Sequence, residues 1–255
     1  MTAPSPLPAF KCGDPLRSST DESKPRGPNR QVVQMFEAIS PTYDLLNRLL
    51  SLGLDTSWRR RCVTALDIRA GQTILDCAAG TGDMAVEVCS QVPSAHVVLL
   101  DPVEGMLERA RAKLSPFAEV KIQTVQGNAE ALPFSSQFFD RITVAFGIRN
   151  FLALDTGLSE LFRVTRHGGK GGILEFTPDR HPAFHRLFRF YFLHIVKPIG
   201  ALISRHATAY DYLRLSIDSF PTSSEICERL ARVGWTMCSH QKLAGGVVSL
   251  FVVQK

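Results

Sequence analysis

The chain is expected to adopt an α/β fold: a Rossmann-like, mostly parallel sheet with a C-terminal antiparallel hairpin. Three observations predict it. Short apolar runs alternate with helical patterns through the middle of the chain, as a parallel sheet with crossover helices requires. The first run leads into Asp76-Cys77-Ala78-Ala79-Gly80-Thr81-Gly82-Asp83, a glycine turn opening a helix. Two strand-like runs, 236–243 and 247–253, meet across Gly245-Gly246 at the end of the chain. Strands are expected over 73–78, 96–101, 121–126, 141–146 and 172–176, and helices over 84–90, 104–113 and 155–166, the last stopped by Gly168-Gly169. Thr222-Ser223-Ser224-Glu225 is a capping box for a helix that Gly234 ends.

Upstream, Val32, Met35, Phe36 and Ile39 form one helical stripe, broken at Ser40-Pro41. A second set, Leu45, Leu46, Leu49 and Leu50, ends at Ser51-Leu52-Gly53. Asp55 reads as the N-cap of a helix carrying Trp58, Cys62 and Leu66 inward, with Arg59, Arg60 and Arg61 mostly outward. With 255 residues and 45% hydrophobic content the chain can bury one core, placed at 29–255. Residues 1–28, rich in Pro, Ser and Lys without an apolar signal core, are expected to be a disordered arm.

The net charge of +5 is spread along the chain without a basic block, which argues against a nucleic-acid groove. The cysteines at 12, 62, 77, 89, 227 and 238 have no metal-ligand spacing; buried reduced thiols in a reducing compartment are the expectation, and no metal. No run of eighteen apolar residues exists to cross a bilayer. A cytoplasmic protein is implied, with peripheral contact at the inner face of a membrane left open.

In an open α/β sheet the ligand lies beyond the carboxyl ends of the strands. A dinucleotide would set its pyrophosphate at the helix N-terminus, where Asp83 would oppose it. S-adenosylmethionine has no phosphate and is cationic, so acids beside the turn attract it. Asp76 can face its methionine end, Gly80 and Gly82 admit close backbone approach, and Thr81 lies between them. Asp101 ends the second strand at the place for a ribose-binding carboxylate, and Asn128-Ala129-Glu130 follows the third, where adenine would sit. Asp83 reads equally well as a plain N-cap. Because Gly80-x-Gly82-x-x-Ala85 also fits a dinucleotide turn, the rival of another class is a nicotinamide-dependent oxidoreductase.

With the pocket placed, residues 32–253 resemble the ubiquinone/menaquinone biosynthesis C-methyltransferase family. Met35-Phe36-x-x-Ile39-Ser40-Pro41-x-Tyr43-Asp44-Leu45-Leu46-Asn47 is similar to its N-terminal signature, Phe146-Gly147-Ile148-Arg149-Asn150 to its fourth-strand motif and Leu174-Glu175-Phe176 to its fifth. Tyr210-x-Tyr212-Leu213-x-x-Ser216-Ile217, Phe220-Pro221 and Leu243-x-Gly245-Gly246-Val247-Val248 resemble its C-terminal part. The resemblance implies a class I methyltransferase fold and S-adenosylmethionine as cofactor, with Thr81, Asp101 and Asn128-Ala129 as donor contacts. A fourth contact, a serine in the family, is Ala145 here, which removes a hydrogen bond of about 0.5–1.5 kcal/mol. The family's Lys-Pro-Gly-Gly turn is Arg166-His167-Gly168-Gly169 here.

The implied reaction is C-methylation of a polyprenylated quinol, demethylmenaquinol first and the methoxybenzoquinol of the ubiquinone route as alternative. Removing a phenolic proton makes the ring carbon nucleophilic. A phenol ionises near pH ~10, so neutral pH requires roughly 4 kcal/mol of phenolate stabilisation. Arg149 is the candidate, as a fixed cation because guanidinium stays protonated, with Asn150 as a neutral donor beside it. An ordinary salt bridge is the competing reading of Arg149. Helices over 29–68 should fold across the site, where Tyr43 would bond the quinol oxygen and Asp44 would accept its proton or cap a helix. Within a helical insertion at 178–215, Phe184, Leu187, Phe188, Tyr191, Phe192 and Ile195 form an aromatic face edged by Lys197 and Arg205. It reads as core or as a prenyl- and membrane-contact surface. Further partners left open are a second copy of the chain and a quinone-synthesis complex. A non-catalytic donor-binding subunit is the remaining rival.

Overall fold

Strands that are apolar on both faces can be buried only between two layers of helices. The structure is a computed structural model that describes residues 30–117, 119–177, 191 and 207–255. Its parallel strands are β1 (Thr73–Cys77), β2 (His96–Asp101), β3 (Lys121–Gln126), β4 (Phe139–Ala145) and β5 (Thr165–Phe176). β6 (Thr236–Leu243) and β7 (Val248–Gln254) are antiparallel to each other, and β7 runs antiparallel to β5. The seven strands form one sheet in the order β3-β2-β1-β4-β5-β7-β6, so the chain reverses direction of growth between β1 and β4. The expected parallel sheet and closing hairpin are both present.

α1 (Arg30–Ile39) and α2 (Tyr43–Ser51), joined by a 3₁₀ turn at Ser40–Thr42, precede α3 (Asp55–Ala65), α4 (Asp83–Gln91) and α5 (Glu104–Leu114). α6 (Leu154–Val164), α7 (Ala207–Asp218) and α8 (Ser223–Val233) follow. Alternate residues of a strand face opposite layers. Ile74 of β1 therefore packs with Cys62 of α3, Val88 of α4 and Leu107 of α5, whereas Leu75 packs with Leu158 of α6 and Leu230 of α8. At the sheet edge β3 exposes Lys121, Gln123 and Gln126, polar side chains that discourage further strand pairing. The capping box forms as expected: Thr222 accepts from the Glu225 backbone, and Gly234 (φ 111°) closes α8.

Three local expectations are corrected. Gly168-Gly169 does not stop a helix. α6 ends at Val164, Thr165 donates its hydroxyl to the Leu161 carbonyl (2.7 Å), and β5 has begun. The two glycines instead bulge out between the pairs Phe139↔Thr165 and Arg141↔Lys170, and they bond the chain's last residue, Lys255. Asp55 is the first residue of α3 and caps nothing; its carboxylate takes Ser51 Oγ (2.9 Å) and Arg59. Arg59 is not outward either. It is buried between Asp55 and the Phe146 ring, with its guanidinium 5.5 Å from the ring centre.

Cys62, Cys77 and Cys89 are buried free thiols, and burial pushes Cys62 up to about 12 and Cys89 up to about 11, so they are unreactive near neutrality. Cys12 lies outside the described residues. Among the described residues no helix is long and apolar enough to cross a membrane. The arm at 1–28 and the aromatic face around 184–205 also lie outside them, except Tyr191, whose hydroxyl bonds the Leu49 carbonyl of α2.

Candidate active site

The site opens where β1 and β4 separate at their carboxyl ends. The chain leaves β1 at Ala78 (φ 54°) and β4 at Phe146 (φ 59°), left-handed conformations that non-glycine residues adopt only under constraint. A Cβ on Gly147 would stand 2.6 Å from the Ala78 Cβ, so the two strand ends approach as closely as they do only because residue 147 is glycine.

Between them lies an open cavity lined by Gly80, Asp101, Asn128, Ala129, Ala145 and Asn150. Four chain segments far apart in sequence are thus brought together as expected. Asp101 accepts from the Gly80 N–H (2.8 Å) and the Val103 N–H (2.9 Å), one on each carboxylate oxygen, which fixes its plane and leaves lone pairs for a ligand. Burial pushes its carboxyl up to about 6. Val32, Val33 and Phe36 of α1 roof the cavity, as expected of the N-terminal helices. Among the described residues no lysine or arginine lines it, and Asp101 is the one carboxylate that does. That lining suits a nucleoside without a phosphate and gives a pyrophosphate no countercharge.

The acids and small residues of the turn are placed differently from expectation. Asp83 does not face the ligand space. The helix N-cap is Gly82, and the Asp83 carboxylate pairs with Lys113 Nζ (2.5 Å) and with Arg59 (3.8 Å). Gly82 serves helix packing: a Cβ there would meet the Ala110 Cβ of α5 at 3.0 Å. Thr81 is buried, donating to Asp44 (2.5 Å) and receiving Lys113 (3.0 Å), and lines neither cavity of the site. Asp44 is bound to the same Lys113 at 2.7 Å. It latches α2 to α5, and this geometry does not support it as the acceptor of a substrate proton.

Asp76 lies beneath the turn, 1% exposed and lining neither cavity, so it does not face the ligand space as expected; one oxygen is bonded to Thr143 (2.9 Å) and the other is without a partner. Burial pushes its carboxyl up to about 7, against the opposing pull of Thr143 and Arg59. An incompletely satisfied buried carboxylate is what a cationic ligand group completes. The sign of its pH effect follows. As pH falls through about 7, the folded donor-free chain binds a proton the unfolded chain does not, so stability from this group rises on acidification and is lost above about 7. We expect Asp76→Asn to raise the Tm of the donor-free chain at alkaline pH by roughly 3 °C or more and to weaken donor binding. A lower Tm in a thermal scan would contradict this.

A second cavity adjoins the first and shares its walls Phe36, Tyr43 and Phe146. Ile39, Leu46, Leu50 and Phe176 make it apolar, while Tyr43, Asn47, Arg149 and Tyr212 supply its polar groups. Arg149 is in a salt bridge: its Nη1 is 2.8 Å from Glu175, the pair being 5% and 0% exposed. The same nitrogen bonds the Phe146 carbonyl, Nε has no partner, and the guanidinium lies 5.6 Å from the Phe176 ring centre. The salt-bridge reading of Arg149 is therefore the one the geometry shows, with Nε left unpaired beside it. Burial raises the Tyr43 hydroxyl above its ordinary range, with Arg149 pulling the other way.

Asn150 lies on the donor side and accepts from the Tyr212 hydroxyl (2.9 Å), which leaves its amide N–H groups for a ligand. Tyr212 and Glu175 were visible only as members of motifs. No spacing in the sequence links Tyr212 to Asn150, sixty-two residues away. Glu130 is a further structural residue, its carboxylate holding the Leu152 and Ala153 N–H groups beside the adenine side.

Residues 24–255 match the model of the ubiE/COQ5 methyltransferase family. A ubiquinone/menaquinone biosynthesis C-methyltransferase UbiE of Geotalea uraniireducens is 40% identical over 228 residues, 88% of this chain and 96% of that one. A demethylmenaquinone methyltransferase of Bacteroides fragilis is 39% identical over 229 residues, 89% and 93% of the two chains. Among solved structures, a SAM-dependent methyltransferase from Aquifex aeolicus superposes with a TM-score of 0.58 at 15% identity, over 82% of this chain and 97% of that one, a likeness of fold alone. The match over nearly the whole chain, with a methyltransferase sheet and a phosphate-free nucleoside cavity, removes the nicotinamide reading: the chain belongs to the ubiE/COQ5 methyltransferase family.

Proposed function

We propose that this chain is an S-adenosylmethionine-dependent C-methyltransferase of quinone biosynthesis that converts demethylmenaquinol to menaquinol. One observation carries the reading: a polar-ended nucleoside cavity and an apolar cavity abut across Phe36, Tyr43 and Phe146. A methyl group needs to move only across that shared wall. When bound, S-adenosylmethionine supplies an electrophilic methyl on a sulfonium. Asp101 would hold its ribose, Asn128 and Ala129 its adenine, and Asp76 would offset its positive charge from below.

The residues of the apolar side prepare the ring carbon. Arg149 is too closely paired with Glu175 to act as a bare cation, so its contribution is that of a rigidly aimed charge-assisted donor. Together with the Asn150 amide and the Tyr43 hydroxyl it would stabilise the quinol as phenolate once the phenolic proton has passed to water, raising electron density at the carbon that takes the methyl as the sulfur–methyl bond breaks and S-adenosylhomocysteine leaves. That carbon then loses its own proton to water, and the ring recovers its aromaticity. Tyr212 positions Asn150, and the Phe146 and Phe176 rings, with centroids 4.8 Å apart and planes tilted by 35°, form an aromatic wall against which an acceptor ring can pack. The enclosure excludes water and aligns the partners, which supplies much of the rate.

The test is product formation by the purified chain. With methyl-labelled donor we expect label on a ring carbon of demethylmenaquinol, with faster turnover than the 2-polyprenyl-6-methoxy-benzoquinol. Faster turnover of the benzoquinol would move the chain to the ubiquinone step, and no labelled product from either would leave it a donor-binding subunit.

A further inference from the structure

We propose that the corner formed by the end of α2 and the start of α3 is a membrane-docking surface, seated on an anionic bilayer. Leu52 is 70% exposed, Leu45 54% and Leu54 46%. Leu45 lies on α2, and Leu52 and Leu54 stand in the turn between its end and the start of α3. Leu52 also closes α2 in a left-handed conformation (φ 53°), where glycine or asparagine is the unstrained choice. A bulky apolar residue is thus held in strain and in water at the same point, which an isolated soluble surface gives no reason for.

The charge around the corner identifies the occupant. From residue 45 to 66 the exposed charges are Arg48, Arg60 and Arg61, and the one acid, Asp55, is buried beneath Arg48 and Arg59. Exposed leucines on a corner whose two helices carry exposed Arg48, Arg60 and Arg61, with Arg48 reaching the buried Asp55 and Arg60 reaching Glu87 at 3.8 Å, suit the headgroup boundary of an anionic bilayer. A protein partner with an acidic rim would share the charge but not the purpose. The opposite face of the same helix, through Leu46, Asn47 and Leu50, lines the apolar cavity. Docking here sets the acceptor cavity one helix thickness from the lipid in which a polyprenylated acceptor dissolves. The choice of occupant rests on the quinol reading above; the surface itself does not.

Vesicle co-sedimentation of the full chain, without substrate, tests this independently of turnover. We expect binding to phosphatidylcholine vesicles containing about 30 mol% phosphatidylglycerol, weaker binding to phosphatidylcholine alone and release by salt. Leu52→Asp with Leu54→Asp should lower partitioning at least about tenfold, while donor affinity and turnover of a short-tailed, detergent-solubilised quinol stay as in the wild type. A Leu52→Trp variant should show a blue-shifted emission with the anionic vesicles. Unchanged partitioning of the double variant, or no shift at position 52, overturns the proposal. So does a dimer in sedimentation equilibrium that the double variant dissociates, which would assign the corner to a second copy of the chain. If no quinol is methylated but the vesicle results hold, the surface stands and the reaction assignment falls.

Discussion

Arg149→Ala is expected to slow methyl transfer by about 10³-fold with little change in donor affinity, the loss typical of removing one preorganised donor aimed at a developing anion. The guanidinium lies on the apolar side of the wall and Asp101 on the other, so the two ligands are read by different residues. The single substitution has a second effect that must be separated. It leaves Glu175, 0% exposed, as an uncompensated buried carboxylate, a change that destabilises proteins by about 3–5 kcal/mol. Pairing it with Glu175→Gln removes that charge while keeping the acceptor for the Phe176 N–H. The double variant should recover thermal stability and remain slow in single-turnover assays. If it recovers the rate as well, Arg149 serves the fold and not the reaction.

Asp101→Ala is expected to weaken donor binding by about 100-fold or more, because charge-assisted hydrogen bonds contribute roughly 1.5–3 kcal/mol each. It would also strand the Gly80 and Val103 N–H groups that now order the turn. pH gives a second readout. The carboxyl of Asp101 titrates near about 6, and only its ionised form accepts at both oxygens, so donor affinity of the wild type should fall as pH drops through that value. Asp101→Asn should bind less tightly and without that pH step. Calorimetry with S-adenosylhomocysteine across the range measures both, and a pH-independent wild type would place the ribose elsewhere.

The sheet was legible in the sequence because its physics is local. β2 and β3 occupy the expected residues, since each is a short run bounded by a turn on one side and a helix start on the other. β5 was not, because its first residues pair with the end of the chain across a bulge that no local pattern reveals. The convergence of Asp101, Asn128 and Ala145 on one cavity was legible for the same topological reason: strand-end residues meet wherever a parallel sheet changes direction.

What the sequence did not show is which charges neutralise one another. Asp83 and Asp44 look available in a linear motif, yet Lys113, some thirty residues beyond Asp83, binds both. Arg59 looks solvated in a run of three arginines, but one helical step turns it inward onto Asp55 and Asp83. The acids at the two ends of the turn therefore do not both face the cavity, and Asp101 is the carboxylate that its described lining presents. Tyr212 was hidden because its partner belongs to a different element, brought near only by tertiary folding.

The most direct measurement is a structure of the chain with S-adenosylhomocysteine and a demethylmenaquinol analogue. We expect the ribose on Asp101, the sulfur turned toward the wall shared by Tyr43 and Phe146, and the quinol ring beyond that wall with an oxygen against Arg149 and Asn150. A quinol ring bound away from Arg149, or a donor whose sulfur faces Lys113 and Thr81, would contradict the two-cavity arrangement.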